Sequence, residues 1–152
     1  MAFTGYANDV YPLDQSVGFL DRIVATSDPQ SIIADINSIK ANLPETGNPV
    51  WIFPTDSTNF ARIQADLDTM LISAEKIAAV PTDSAAYHTG MLDINSRSVL
   101  IQENIADAIP YMYVSFSNII FSSIWIAAIL GIFAVLNKKK QKMQEYDVSQ
   151  DV

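Results

Sequence analysis

The residues with the clearest potential for metal chemistry are one histidine and two methionines. His88 is the only histidine, Met91 stands three positions after it, and Met70 belongs to a neighbouring predicted helix. Residues three apart lie side by side on a helix, and imidazole with thioether ligands suits a soft metal such as copper. No cysteine is present, and no acidic residue completes the set at a fixed spacing. We therefore predict no metal site, keep His88 and Met91 as the only candidates for one, and interpret His88 as a surface residue near a helix start.

Patterns typical of catalysis are missing from the rest of the sequence. Asp66 and Asp68 are two residues apart, so a helix turns them to different faces and they form no paired carboxylate site. There is no Ser–His–Asp order, no glycine-rich phosphate loop and no HExxH helix. The lack of cysteine excludes disulfides, thiolate zinc sites and thiol nucleophiles. We expect a protein that is not an enzyme and has no cofactor and no small-molecule substrate of its own.

Two helices are predicted near the start of the chain. The apolar face of the first, about residues 14–26, contains Val17, Leu20, Ile23 and Val24. The pair Asp28-Pro29 then gives an N-cap followed by proline at the first helical position. The second helix presents Ile32, Ile33, Ile36, Ile39 and Leu43, and Pro44 and Gly47 end it.

Two further helices carry heptad seams. The third is predicted from Ser57 or Thr58 to Pro81, with its seam at Phe60, Ile63, Leu67, Met70, Ala74 and Ile77. The fourth follows a cap at Thr82, Asp83 or Ser84, and its seam contains Tyr87, Met91, Ile94, Ser98, Ile101 and Ile105. It is expected to run on into an apolar segment, with a kink at Pro110. The pattern predicts an all-α fold, a small antiparallel bundle of about four helices.

The segment of residues 47–54 is predicted to be an extended strip. Its prolines at positions 49 and 54 disfavour a helix interior. The strip contains Trp51, Ile52 and Phe53, and two interpretations of them stay open. They either plug the end of the bundle or form a docking site for another subunit, since aromatic side chains are frequent interface anchors.

A membrane-spanning helix is predicted near the C-terminus. No charged residue occurs from position 108 to position 137, and residues 116–136 supply the ~20 apolar residues that a bilayer core requires. The predicted organisation is an N-terminal tail at 1–13, a helical ectodomain at 14–109, a transmembrane helix at 110–137 and a tail at 138–152. Membrane lipid is therefore an expected partner.

The charge pattern predicts the orientation. Lys138, Lys139, Lys140 and Lys142 follow the span, whereas the nearest basic residue before it is Arg97. The positive-inside rule places the C-terminal tail in the cytoplasm and the bundle outside the cell membrane; the competing topology is a tail-anchored protein with its bundle in the cytoplasm. Residues 1–117 hold 14 acidic and 5 basic side chains, so nucleic acid and anionic lipid are not expected partners.

The predicted span has two faces suited to helix contacts. Small residues follow one another at Ser123, Ala127, Gly131 and Ala134, a spacing that lets a second helix approach closely in lipid. A polar face contains Ser115, Asn118 and Ser122. The alternative is that the polar residues lie at the wet boundary and the small ones face lipid. We favour contacts with other integral membrane subunits.

The layout resembles the small accessory subunits of archaeal ammonia monooxygenase: an external helical bundle, one span and a short lysine-bearing tail. Residues 60–77, 87–105, 116–136 and 138–142 carry the resemblance. It implies a non-catalytic accessory subunit of a larger membrane complex, with copper ligands on other subunits. The alternatives are a ligand-sensing or adhesion ectodomain that signals through a partner, and a stand-alone metal-binding membrane protein.

Overall fold

The computed structural model describes residues 6–51, 53–113 and 116–150, with side chains throughout except at 116–118 and 141–150. The chain forms two compact units, Met1–Val114 and Ser115–Val152. A π-helical turn, Tyr6–Val10, opens the first unit. It is followed by α1 (Tyr11–Ala25), α2 (Pro29–Asn42), α3 (Phe60–Ala78) and α4 (Ala85–Tyr113), and α5 (Phe116–Gln150) belongs to the second unit. The described residues contain no strand, so the all-α prediction is confirmed.

Side-chain caps explain where three of the helices begin. Asp28 accepts hydrogen bonds from the amides of Gln30 and Ser31 at the start of α2, as predicted. Hydrogen bonds from the Ser31 hydroxyl and amide lower the pKa of the Asp28 carboxyl. Asn59 caps α3 through the amides of Ala61 and Arg62, one or two residues after the start predicted near Ser57 or Thr58. Ser84 accepts from the Tyr87 amide at 3.1 Å before α4.

The first helix begins earlier than predicted, at Tyr11 rather than Asp14. Its buried stripe contains Leu13, Ser16, Leu20 and Ile23, and Val10 in the preceding turn is also buried. Val24 is 40% exposed, so its predicted place on the apolar face was wrong. The buried stripe was hard to read from the sequence because one of its core positions is the polar residue Ser16. The Ser16 hydroxyl donates to the Pro12 carbonyl at 2.8 Å, which allows the residue to be buried without contributing to the hydrophobic pattern.

The four helices of the first unit pack as an antiparallel ring, in which α1 contacts α2 and α4, and α3 contacts the same two. Their interior is one continuous apolar cluster. Every seam residue predicted for α3 and α4 is buried, including Ser98. Ser98 donates to the Ile94 carbonyl at 2.9 Å and lies 3.4 Å from the Met70 sulfur. Burial of each large aliphatic side chain contributes roughly 1.5–3 kcal/mol.

Polar contacts along the outer edges fix the pairing of neighbouring helices. Lys40 of α2 pairs with Asp68 of α3, and Gln64 caps the end of α2 by donating to the Lys40 and Leu43 carbonyls at 3.1 and 3.2 Å. Gln102 of α4 donates to Asp21 of α1 at 2.9 Å. These pairs connect α2 with α3 and α4 with α1.

The second unit contains one long helix. Within α5, residues Ile119–Lys140 form a stretch of 22 residues that is long and apolar enough to cross a membrane. At 1.5 Å per residue this stretch is about 33 Å long, close to the ~30 Å thickness of a bilayer core. The helix continues past the lysines to Gln150.

Gly90 of α4 lies in close contact with Ile77 of α3. A Cβ added at Gly90 would overlap the Cγ2 atom of Ile77, which is itself buried. Overpacking of this kind costs ~1–3 kcal/mol, against a helix-propensity gain of up to ~1 kcal/mol when Gly is replaced by Ala. After subtraction of the propensity gain, we expect Gly90→Ala to destabilise the protein by up to about 2 kcal/mol in chemical denaturation.

Gly18 of α1 is the matched control, because an added Cβ there meets no atom within 4 Å. Gly18→Ala should therefore stabilise by up to ~1 kcal/mol. If the two variants change the free energy of unfolding equally, the close approach at Gly90 does not limit the packing of α3 on α4.

Candidate functional site

The structure does not bring His88 and Met91 together as a metal site. Met91 is buried in the bundle interior, whereas His88 is exposed on α4 and makes an edge contact with the Tyr87 ring at 5.8 Å between ring centroids. Met70 lies against Ser98 inside the bundle. In the described part of the chain no group of three or more His, Cys, Asp or Glu side chains is placed to hold a metal ion.

A charged pair that the sequence analysis did not identify joins α1 and α2. Arg22 donates to Asp35 through two nitrogens, and its guanidinium lies 4.6 Å from the centroid of the Phe19 ring. The Asp35 side chain is only 12% exposed, whereas that of Arg22 is 62% exposed. Arg22 and Asp35 line an open groove together with Thr26 and Ser31. A sequence signal existed: Arg22 and Asp35 stand at nearly equal distances from the predicted turn at Asp28.

In the connection between α2 and α3, the described residues form hydrogen bonds around Asn48. The Asn48 amide donates 2.7 Å to the Thr55 carbonyl, and its oxygen accepts from the Val50 amide and the Thr58 hydroxyl, both at 2.9 Å. Gly47, with φ +110, accepts from the Phe60 amide at 2.9 Å. Val50 is 8% exposed and Thr58 3% exposed. The loop is thus closed by its own hydrogen bonds and anchored by Val50.

This loop turns its aromatic side chains outward. Trp51 is 56% exposed and Phe53 is 82% exposed. The interpretation that they plug the end of the bundle was therefore wrong for these two residues, and the buried apolar side chain of this loop is that of Val50. Ile52, the third member of the predicted docking strip, lies outside the described residues.

The exposed aromatic side chains of the bundle share one end. Because the helices alternate in direction, that end holds the start of α1, the loop between α2 and α3, and the last turn of α4. All six residues are at least 37% exposed: Tyr6, Tyr11, Trp51, Phe53, Tyr111 and Tyr113. Partial burial and the hydrogen bond to Asp14 raise the pKa of Tyr6. The centroid of the Tyr6 ring lies 6.3 Å from that of the Tyr11 ring. We call this set the aromatic end.

The small-residue face predicted on α5 is exposed throughout, at Ser123, Ala127, Gly131 and Ala134. An added Cβ at Gly131 meets no atom within 4 Å. Ser122 is also exposed, as are Lys138, Lys139 and Lys140. The predicted residue Ser115 lies outside the described residues, as do the side chains of Asn118 and Lys142.

The fold defines a class of protein: a four-helix bundle joined to one apolar helix that is long enough to cross a membrane. No family model, curated protein or solved structure matches the chain. The geometry of each unit is therefore the basis for assigning a function.

The Asn48 network generates a test of the loop. Asn48→Ala removes three hydrogen bonds at once, each worth roughly 0.5–1.5 kcal/mol net. We expect a destabilisation of about 1.5–4.5 kcal/mol and faster cleavage by chymotrypsin after Trp51, because the loop loses its closing contacts. Denaturation curves and limited proteolysis measure the two effects.

Asn37, exposed on α2, is the matched control. Asn37→Ala should leave the cleavage rate unchanged and stability equal or slightly higher, since Ala has the higher helix propensity. Equal cleavage rates in both variants would mean that Asn48 does not hold the loop.

Proposed function

We propose that this chain is a non-catalytic, single-pass accessory subunit of a larger integral membrane complex, in which it contributes assembly or stability. One observation carries the proposal: α5 combines an apolar stretch of membrane-spanning length with a strip of small residues. At Gly131, within this strip, an added Cβ meets no atom of the described chain within 4 Å. Small residues let two helix backbones approach closely in lipid. The strip is thus suited to another membrane helix.

The interior of the bundle supports this function over ligand sensing. Buried aliphatic side chains from all four helices fill it, and the polar Ser98 is satisfied within the bundle. A sensor of this kind requires a pocket between its helices, whereas the groove at Arg22 and Asp35 lies open on the surface. The packed interior favours a structural role.

We propose that the bundle lies outside the cell membrane and the lysine-bearing end inside. Lys138, Lys139 and Lys140 close the apolar stretch, and basic residues favour the cytoplasmic side. The resemblance to archaeal ammonia monooxygenase subunits makes a membrane-bound monooxygenase the first complex to examine.

The small-residue strip gives a test of assembly. Gly131→Ile places a branched side chain where a partner backbone would lie, and overpacking costs ~1–3 kcal/mol in closely packed interfaces. We expect this variant, and Ala127→Ile one turn away, to lose co-purifying membrane subunits after gentle detergent extraction, as measured by mass spectrometry. Because an added side chain at Gly131 meets nothing within the chain, the bundle should keep its stability.

Ile129→Ala, which changes an exposed residue off the strip, is the control and should retain its partners. If both bulky variants stay fully associated, the strip is not the contact between subunits.

The orientation is tested separately by a cysteine at Ser149, since the natural sequence contains none. We expect Ser149→Cys to be protected from a membrane-impermeant maleimide in intact cells and to react after permeabilisation. Labelling from outside in intact cells would place the bundle in the cytoplasm instead.

A further inference from the structure

The aromatic end has no counterpart at the opposite end of the bundle. There, at the turns between α1 and α2 and between α3 and α4, the nearest tyrosine is Tyr87, which is buried and donates to the Ser27 carbonyl. Exposed Trp and Phe side chains cost solubility, and the Asn48 network closes the loop on either side of them, at Val50 and Thr55. Aromatic side chains exposed on a hydrogen-bonded loop point to a surface that meets an apolar partner.

The chemistry of the six side chains matches the boundary of a lipid bilayer. Tyrosine and tryptophan carry an apolar ring with one polar group, and they concentrate where acyl chains meet headgroups. Four of the six residues are tyrosines, one is Trp51 and one is Phe53. Hot spots of protein–protein interfaces instead cluster near the centre in well-packed, desolvated pockets, whereas these side chains are exposed and distributed over three separate segments.

The covalent connection to α5 also lies at the aromatic end. Tyr113 is the last residue of α4, and only residues 114 and 115 precede the first residue of α5. Where α5 spans a bilayer, the chain reaches the lipid from the aromatic end. The opposite end of α4 is 28 residues earlier, at Ala85, about 40 Å away at 1.5 Å per residue.

We propose that the aromatic end is a lipid-contact surface, in which Trp51 and Phe53 enter the interfacial layer of the membrane and the tyrosines lie at the headgroups. The inference depends on the membrane-anchoring part of the proposed function. The lipid is zwitterionic, because residues 1–117 hold 14 acidic side chains against 5 basic ones and so are repelled by anionic headgroups.

The chain contains its own reporters, since its two tryptophans are Trp51 in the loop and Trp125 in α5. The full chain is reconstituted at low density in vesicles of phosphatidylcholine with brominated acyl chains, which quench tryptophan on contact. In Trp125→Phe, we expect the emission of Trp51 to shift to shorter wavelength on reconstitution, to fall with brominated lipid, and to resist aqueous iodide. Including phosphatidylserine should reduce the quenching by the bromines.

Two matched variants complete the experiment. In Trp51→Phe, quenching of Trp125 reports whether α5 is in the bilayer, so failure of the anchor is distinguished from failure of the lipid contact. In Trp51→Phe/Trp125→Phe/Leu92→Trp, the reporter replaces an exposed residue of α4 about 30 Å along the helix from Tyr113 at 1.5 Å per residue. It should respond to iodide and not to bromine.

Two results would overturn the proposal. Trp51 that responds to iodide and not to brominated lipid is exposed to water. Trp51 that is protected from both quenchers is covered by protein, either a second copy or another subunit, and the surface is then a docking site between chains.

Discussion

The fold depends on four apolar helix faces that can be buried only against one another. Without cysteine no disulfide is available, and most helix stability in proteins comes from packing of an apolar face, so stability comes from the shared interior. The tight contact of Gly90 with Ile77 and the buried Ser98 show how closely that interior is filled. Because successive helices alternate in direction, closing the interior also brings the loop between α2 and α3 to the end from which the chain leaves for α5.

The heptad seams of α3 and α4 could be predicted completely, because their spacing repeats over several turns and each seam residue is buried as expected. The Asp28-Pro29 start was equally readable, since the cap is a local interaction. The first helix was less predictable. Its core stripe includes Ser16, whose hydroxyl is satisfied by its own helix, so its burial has no hydrophobic signal in the sequence.

The candidate surfaces were harder to predict, because they depend on which segments the fold brings together. The sequence alone does not show whether Trp51 and Phe53 lie in the core or on the surface. That depends on the conformation of the loop, in which Asn48 makes three hydrogen bonds, to Val50, Thr55 and Thr58. The Arg22–Asp35 pair likewise required the register of α1 against α2. The apolar stretch of α5 needed no tertiary information, since its length and composition are sufficient.

The acidic surface and the aromatic end act over different distances. Charge repulsion extends to about 10 Å at 0.1 M salt and determines which surfaces can approach the bundle, whereas ring contacts act only at van der Waals separation. If α5 spans the bilayer as proposed, it tethers the bundle at high effective concentration, and each aromatic contact could then be weak and still orient the bundle. The same tether would make strong binding unnecessary for the partner helix proposed on the Gly131 strip. In that arrangement the aromatic end and the Gly131 strip would need only small, specific contacts, whereas an untethered protein of this acidity would require large apolar areas.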